Sequence, residues 1–322
     1  LMVLSARVLV LRAADFDTSV VKDYTVDGRS EGLFATPVTL ESGTGDGIGM
    51  YAEATGTWYL RPLAAVDVPD LQTVFGGAWA EPVVGDWNGD GFDTIGVYDS
   101  STGNWYLHNT NSAGTPDITV IGYGGTWALP VSGDWDGNGT DTIGLFVPST
   151  GEWLLRNSDS YGTPDISFTY GGSWGYPVVG DWDGDGIDTA GIYNPMDGNW
   201  YLRNRHSTGG ADRVIRAYGG WWGLPVVGDW NGNGVDTIGV FAYQTGQWLL
   251  RNSNTYGRPQ IQFTYGGDWG TPIAGNWYGL DALSPATIAP EPTAVPAIKP
   301  TPLTLPQGSD AAEQPSTPLP QD

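Results

Sequence analysis

The fold is decided by a stretch that the chain repeats, Pro82-Val-Val-Gly-Asp-Trp87-Asn-Gly-Asp-Gly-Phe-Asp93-Thr-Ile-Gly-Val-Tyr98. Successive copies from Pro82 onward are 47 or 48 residues apart. Close copies begin at Pro130, Pro177 and Pro225, a decayed copy begins at Pro272, and a shortened copy begins at Pro37. A repeat of this length predicts an array, a solenoid or a propeller rather than an ordinary globular domain.

Tryptophan follows the same period. The chain has 16 Trp, and 15 of them fall into three series of five. The series are Trp58, Trp105, Trp153, Trp200 and Trp248; Trp79, Trp127, Trp174, Trp222 and Trp269; and Trp87, Trp135, Trp182, Trp230 and Trp277. A Trp that recurs once per unit is usually core between units, although the second series follows Gly-Gly and could be exposed as sugar platforms. Trp221 alone breaks the pattern.

Each unit contains four short segments with β-strand character and no helical periodicity. In the unit that follows Pro82 these are residues 94–98, 105–108, 117–123 and 130–132, separated by turns rich in Gly, Asn and Thr. Four strands in about 47 residues predict an all-β chain folded as a β-propeller of about five four-stranded blades. A parallel β-helix or a linear β-array is the alternative, but its coils are normally shorter. The copies at Pro37 and Pro272 suit a ring that is closed by strands from both termini.

The composition divides the chain into three parts. Residues 1–33 form an N-terminal extension whose apolar start predicts a strand on the propeller edge or one donated to a neighbouring molecule. Residues 34–282 form the propeller repeat domain. Residues 283–322 are rich in Pro, Thr and Ser and predict a linker or stalk.

The overall composition excludes several functions. The formal net charge of −23 disfavours binding to nucleic acids and anionic lipids. The absence of Cys excludes disulfides and thiolate sites. The chain has no run of 18 apolar residues, so the sequence predicts no helix that spans a membrane.

Four acidic loops follow the repeated Pro strand. Positions 1, 3 and 5 carry side-chain oxygens, position 7 offers a carbonyl, and position 8 is Asp. With Gly at position 6 for a sharp turn, this pattern suits Ca²⁺ and predicts about four calcium sites. The alternative is a cluster of Asx turns without a cation. The predicted ligands are Asp86, Asn88, Asp90, Phe92 and Asp93; Asp134, Asp136, Asn138, Thr140 and Asp141; Asp181, Asp183, Asp185, Ile187 and Asp188; and Asp229, Asn231, Asn233, Val235 and Asp236. The first unit (residues 41–46) and the last (residues 276–281) lack this spacing, so we expect no tight metal at either.

These loops, each followed by a strand such as Ile-Gly-Val-Tyr, resemble the FG-GAP/VCBS repeats of integrin α-subunit propellers and bacterial surface proteins. The resemblance covers roughly residues 34–280. It implies a calcium-binding propeller with a role in adhesion or ligand binding rather than catalysis. The family usually places its closing carboxylate at position 9 and often has seven blades, whereas this chain has Asp at position 8 and about five units.

Nothing else in the sequence predicts an enzyme. The only histidines are His108, which occupies a position held by Arg in other units, and His206, which lies in a turn. The carboxylates repeat with the units, whereas an active site breaks repeat symmetry. Two functions therefore stay open. One is a secreted or cell-surface binding module for a protein or carbohydrate ligand, and the other is a subunit that polymerises into an extracellular filament or coat through its N-terminal strand.

Overall fold

The structure is a computed structural model that describes residues 45–63 and 70–277. Within these ranges the chain forms 20 strands in five four-stranded antiparallel sheets, which are the blades of a five-bladed β-propeller. This confirms the predicted fold class and blade number. The predicted N-terminal extension, the copy at Pro37 and the Pro-rich tail lie outside the described residues. No helix that could cross a membrane is found in the part of the chain that is described.

Each blade is a simple up-and-down sheet, and the strands are numbered in chain order. Blade 1 consists of β20 (Thr271–Gly275), β1 (Gly47–Ala52), β2 (Thr57–Arg61) and β3 (Leu71–Val74). Blade 2 consists of β4 (Glu81–Gly85), β5 (Thr94–Asp99), β6 (Asn104–Leu107) and β7 (Ile118–Val120). Blade 3 consists of β8 (Leu129–Gly133), β9 (Thr142–Val147), β10 (Glu152–Leu155) and β11 (Ile166–Thr169). Blade 4 consists of β12 (Tyr176–Gly180), β13 (Thr189–Asn194), β14 (Asn199–Leu202) and β15 (Arg213–Ile215). Blade 5 consists of β16 (Leu224–Gly228), β17 (Thr237–Ala242), β18 (Gln247–Leu250) and β19 (Ile261–Thr264).

The ring is closed in blade 1 by strands from opposite ends of the repeat domain. Strand β20 pairs antiparallel with β1, in a register that places Gly275 opposite Gly47 and Thr271 opposite Tyr51. The hypothesis of closure by the two termini is confirmed. The inner strand of blade 1 is the decayed copy at Pro272.

The core lies between neighbouring blades and is built around the first Trp series. Trp105 is fully buried, its Nε1 donates to the Tyr123 carbonyl at 2.8 Å, and its ring packs against Tyr98 at 4.7 Å. The equivalent Trp in each of the other blades is also fully buried. Since removing a buried Trp side chain typically costs about 3–5 kcal/mol, this series alone contributes strongly to folding. The third Trp series is also buried, as the prediction of inter-blade core requires.

The up-and-down strand order sorts the loops onto two faces. The loops between the first and second strands of a blade, which contain the acidic motifs, lie on what we call the acidic-loop face. The connections between blades lie at the opposite end of the strands, on what we call the tryptophan face, because they contain the second Trp series. The two candidate sites of the sequence are therefore separated by the length of a blade.

Candidate functional site

The acidic loop of blade 4 has the most complete set of carboxylates. Asp181 accepts backbone N–H bonds from Gly184 (2.7 Å), Asp185 (3.2 Å) and Gly186 (2.8 Å). Gly184 and Gly186 have φ of +79° and +83°, a conformation that favours glycine and that lets the loop turn back on itself. The turn brings carboxylate oxygens of Asp181, Asp183 and Asp185 within 4.8 Å of one another. Among the described residues no other group of three acidic or histidine side chains meets this distance.

The other three loops have the same backbone arrangement with fewer carboxylates. In the loop of blade 2, Asp86 accepts N–H bonds from Gly89, Asp90 and Gly91 at 2.8, 3.1 and 2.7 Å. Asp134 accepts all three corresponding bonds in blade 3, and Asp229 accepts those from Asn233 and Gly234 in blade 5. These contacts are compatible with both interpretations of the motif, since an Asx-turn cluster and a cation loop use the same backbone turn.

The side chains at positions 3 and 5 stay at the solvent-exposed tips of the loops. The position-5 oxygen accepts the N–H of position 7 in every loop, at 2.8–3.1 Å. The residue pairs are Asp90 and Phe92, Asn138 and Thr140, Asp185 and Ile187, and Asn233 and Val235. At position 3, Asn88 donates to Asp90 at 3.0 Å, and Asp183 accepts from Asn204 at 2.6 Å. Asp136 and Asn231 are exposed at the same position.

The Asp at position 8 does not return to its own loop, and this corrects its assignment as the closing ligand. Its Oδ2 instead accepts the backbone N–H of a loop residue in the preceding blade, while its own N–H donates to the carbonyl of that residue. The pairs are Asp93 with Asn276, Asp141 with Asp86, Asp188 with Asp134, and Asp236 with Asp181, at Oδ2 to N distances of 2.7–2.9 Å. The strand that starts at position 9 leads away from the loop, so this carboxylate points toward the ring axis.

A fifth residue, Asp46, completes this set although its unit lacks an acidic loop. It accepts the N–H of Asp229 at 2.8 Å and donates its own N–H to the same residue at 2.9 Å. Each of the five blade boundaries is thereby joined by a reciprocal pair of hydrogen bonds. The sequence does indicate that Asp46 is equivalent to Asp93, because Asp46-Gly-Ile-Gly aligns with Asp93-Thr-Ile-Gly. The equivalence is not obvious because Asp46 is not preceded by an acidic loop.

The five carboxylates surround a central channel of about 300 Å³. Its lining is otherwise Pro, Val, Gly and other small or apolar residues, and it contains no basic side chain among the described residues. Burial raises the pKa of Asp46 to about 7 and that of Asp141 to about 6, and repulsion from neighbouring carboxylates acts in the same direction. Burial, together with the same repulsion, also raises the pKa values of Asp93, Asp188 and Asp236. Such a ring favours bound protons or a cation.

The second Trp series is mostly exposed on the tryptophan face, unlike the other two. The exposed fractions are 51% for Trp79, 47% for Trp127, 46% for Trp174 and 48% for Trp269. The indole edge lies over the second Gly of the preceding Gly-Gly pair, where a Cβ on Gly125 would come within 2.8 Å of the Trp127 ring. The Gly-Gly pair therefore provides the seat for each indole.

Blade 5 differs at this position. Trp222 is partly buried against the core between blades 4 and 5, whereas the extra residue Trp221 is 53% exposed. Each blade thus presents one exposed indole; in blade 5 this is Trp221, while Trp222 keeps the position over Gly220 that the other members of the series have over their Gly.

The two histidines have structural environments. Nδ1 of His108 lies 3.4 Å from Asp117 Oδ2, and Arg156 contacts Asp165 in the same way at 2.8 Å in the next blade. His108 is therefore a variant of the Arg position, as predicted. His206 packs against Trp135, and burial lowers its pKa.

Comparisons with known proteins add little to this geometry. No protein-family model matches the chain, and no curated protein matches it. A solved structure of an Agrocybe aegerita lectin, described as the structural basis of specific recognition of non-reducing terminal N-acetylglucosamine, is similar at 18% identity and a TM-score of 0.40. The match covers 60% of this chain and 56% of the lectin, so the chain spans little more than half of that protein's length. Similarity at this level carries no argument about the ligand.

Proposed function

We propose that the chain is a non-catalytic binding module that uses the tryptophan face to hold a carbohydrate ligand. The observation that carries this proposal is one exposed indole in each of the five blades, four of them at the same position of the repeat and the fifth, Trp221, next to it. Exposed large apolar side chains of this kind mark interaction sites, and a flat indole suits the apolar face of a sugar ring. Because the five indoles repeat around a ring, weak contacts would add up on a branched or repeating glycan.

We further propose that the acidic loops bind Ca²⁺ and stabilise the ring, as in FG-GAP/VCBS propellers. The clustered oxygens of Asp181, Asp183 and Asp185 support this, because a hard cation takes such ligands. The loops are exposed and several contain Asn in place of Asp, which lowers ligand charge and suits the weak calcium sites of extracellular modules. This supports a secreted or cell-surface location.

A glycan array probed with the labelled protein in millimolar Ca²⁺ tests the first proposal. Binding to a defined class of glycans is expected, and it should weaken when the exposed indoles are replaced by Ala in pairs. A Trp105→Ala variant is unsuitable as a control because that residue is core, so Tyr161→Ala, an exposed aromatic at a loop tip, serves instead. An array on which the wild-type protein binds no glycan would refute the carbohydrate assignment.

Thermal unfolding in Ca²⁺ against chelator tests the second proposal. A ligand that binds only the folded state raises the melting temperature with its concentration. An unchanged melting temperature would show that the loops are Asx-turn clusters that need no cation.

A further inference from the structure

A pocket of about 460 Å³ lies along the seam between blades 3 and 4. Its walls are Tyr170 and Gly171 at the end of blade 3, Trp174, Asn194 and Tyr201 of blade 4, and the segment 209–211 of the same blade. The pocket thus takes in one of the five exposed indoles. Its volume falls in the range of sites that hold small molecules.

The pocket exists because blade 4 departs from the repeat in one loop. Between its third and fourth strands, blade 4 has Gly209-Gly210-Ala211. The equivalent segments in blades 2, 3 and 5 are Gly114-Thr115-Pro116, Gly162-Thr163-Pro164 and Gly257-Arg258-Pro259. A Cβ added at Gly210 would meet no atom within 4 Å, so the small residues leave open space where the other blades have bulk.

A second departure is the hydroxyl of Tyr170. The equivalent Tyr123 and Tyr218 donate to the carbonyls of Leu154 and Leu249 in the following blade, at 2.9 and 3.0 Å. Tyr170 is only 7% exposed, and its hydroxyl has no hydrogen-bond partner within the described residues. A buried hydroxyl without a hydrogen-bond partner is uncommon in native proteins, so we expect the Tyr170 hydroxyl to bond a group from outside the chain.

The remaining walls combine an aromatic surface with an amide. Trp174 is 46% exposed and meets Tyr201 edge to face, with ring centroids 5.4 Å apart. The Asn194 side-chain oxygen accepts the Met196 N–H at 2.9 Å, and its amide nitrogen makes no bond to the described residues. At the position of Asn194, blades 2, 3 and 5 have Asp99, Val147 and Ala242.

We propose that this pocket is the principal carbohydrate subsite of the propeller and binds one sugar ring. The ring's apolar face lies against Trp174, and its hydroxyls bond the Tyr170 hydroxyl and the Asn194 amide. The proposal rests on the proposed function for its ligand class, and it adds that the binding is concentrated at one seam out of five.

The decisive variant restores the repeat. Gly210→Thr combined with Ala211→Pro gives blade 4 the Gly-Thr-Pro segment that already folds in blades 2 and 3, so the chain should fold normally. Binding of methyl glycosides of glucose, galactose, mannose, fucose and the N-acetylhexosamines is measured by calorimetry and by Trp fluorescence. We expect the wild type to bind at least one of them with one site per chain, and the filled variant to bind it about tenfold or more weakly.

Further variants test the pocket apart from the rest of the surface. Tyr170→Phe removes only the hydroxyl and should weaken binding several-fold, which tests the site independently if the filled variant unfolds. Trp174→Ala should weaken binding about tenfold, whereas Tyr161→Ala, the exposed aromatic outside the pocket, should leave the affinity unchanged within about twofold.

The outcomes distinguish the two proposals. If the wild type binds a sugar and the filled variant and Tyr170→Phe bind it equally well, the subsite is refuted and the carbohydrate function stands. The subsite is also refuted if Trp174→Ala binds the sugar as tightly as Tyr161→Ala does. If the wild type binds neither these glycosides nor any glycan on the array, the carbohydrate function itself is refuted.

Discussion

One residue position shows how small a change within the repeat alters its chemistry. In blade 2, Asn111 accepts the N–H of Ile95 and donates to the Asp93 carbonyl, both at 3.1 Å. In blade 3 the same position is Asp159, which accepts the N–H of Ile143 at 3.1 Å. An ionised carboxylate has no hydrogen to donate, so only the protonated acid can make both bonds. Burial raises the pKa of Asp159 to about 7, and the charge of Asp141 acts in the same direction.

We therefore predict that Asp159→Asn stabilises the protein at neutral and alkaline pH. A carboxyl with a raised pKa binds its proton more tightly in the folded state, so its contribution to stability is lost as pH rises from about 4 to 7. The amide keeps both bonds at every pH, and a gain of about 1–2 kcal/mol is expected at pH 8, with little change at pH 4. Urea unfolding at the two pH values measures this difference. A variant that is less stable than the wild type at pH 8 would contradict the argument.

Ala217 offers a second prediction at this scale. It is the one described residue other than Gly with a positive φ, at 54°, and it occupies the position of Gly122, whose φ is 74°. Both N–H groups donate to an Asn side chain at 2.9 Å, so the conformation is imposed by the turn. Because the left-handed region costs Ala more than Gly, we expect Ala217→Gly to stabilise the fold by about 0.5–1 kcal/mol. Calorimetric melting checks this, with Ala113→Gly at an exposed turn as the control.

At the scale of the element, local patterns predicted the strands and the loops, but a contact between blades decided the role of position 8. Asp141 follows Gly139 by two residues, and the pattern of its own loop predicts that it is a calcium ligand. Its partner, Asp86, lies 55 residues away in the sequence and in another blade, so no pattern within a single loop indicates this contact. The shift from the family's position 9 to position 8 was the available signal, because it turns the side chain to the other side of the strand.

The four acidic loops differ in their number of carboxylates even when position 8 is left out, and we expect calcium affinity to follow that number. Three carboxylates remain in the loop of blade 4, two each in the loops of blades 2 and 3, and one in the loop of blade 5. We expect the tightest site in blade 4, and the double variant Asp183→Asn with Asp185→Asn gives that loop the same side chains at positions 1, 3 and 5 as the blade 5 loop. Calcium titration by calorimetry should then show loss of the tightest site, whereas Asp197→Asn, in the turn between β13 and β14 and outside the acidic loops, should leave it intact. An unchanged tightest site would disprove the assignment.

At the scale of the whole molecule, the period predicted the blade number and the closure because every unit must bury the same face against its neighbour. The pocket of blade 4 was not predicted. The sequence pointed to Trp221 as the exception, whereas the departure that opens a pocket is the loss of bulk at residues 210 and 211. Missing side chains are hard to read from a sequence, since their effect depends on what surrounds the space they leave.

The central ring of carboxylates leads to the last prediction, which concerns the molecule as a unit. Burial and mutual repulsion raise the pKa values of all five, with Asp46 at about 7 and Asp141 at about 6. In chelator, the folded state therefore holds more protons than the unfolded state between about pH 4 and 7, and stability should fall as pH rises through that window. We expect the melting temperature at pH 8 to be lower than at pH 5 by about 5 °C or more. Asp141→Asn keeps a side-chain oxygen for the Asp86 N–H and removes one charge, so it should reduce the difference. A melting temperature that rises from pH 5 to pH 8 in chelator would contradict the conclusion that ionising the five carboxylates destabilises the folded state.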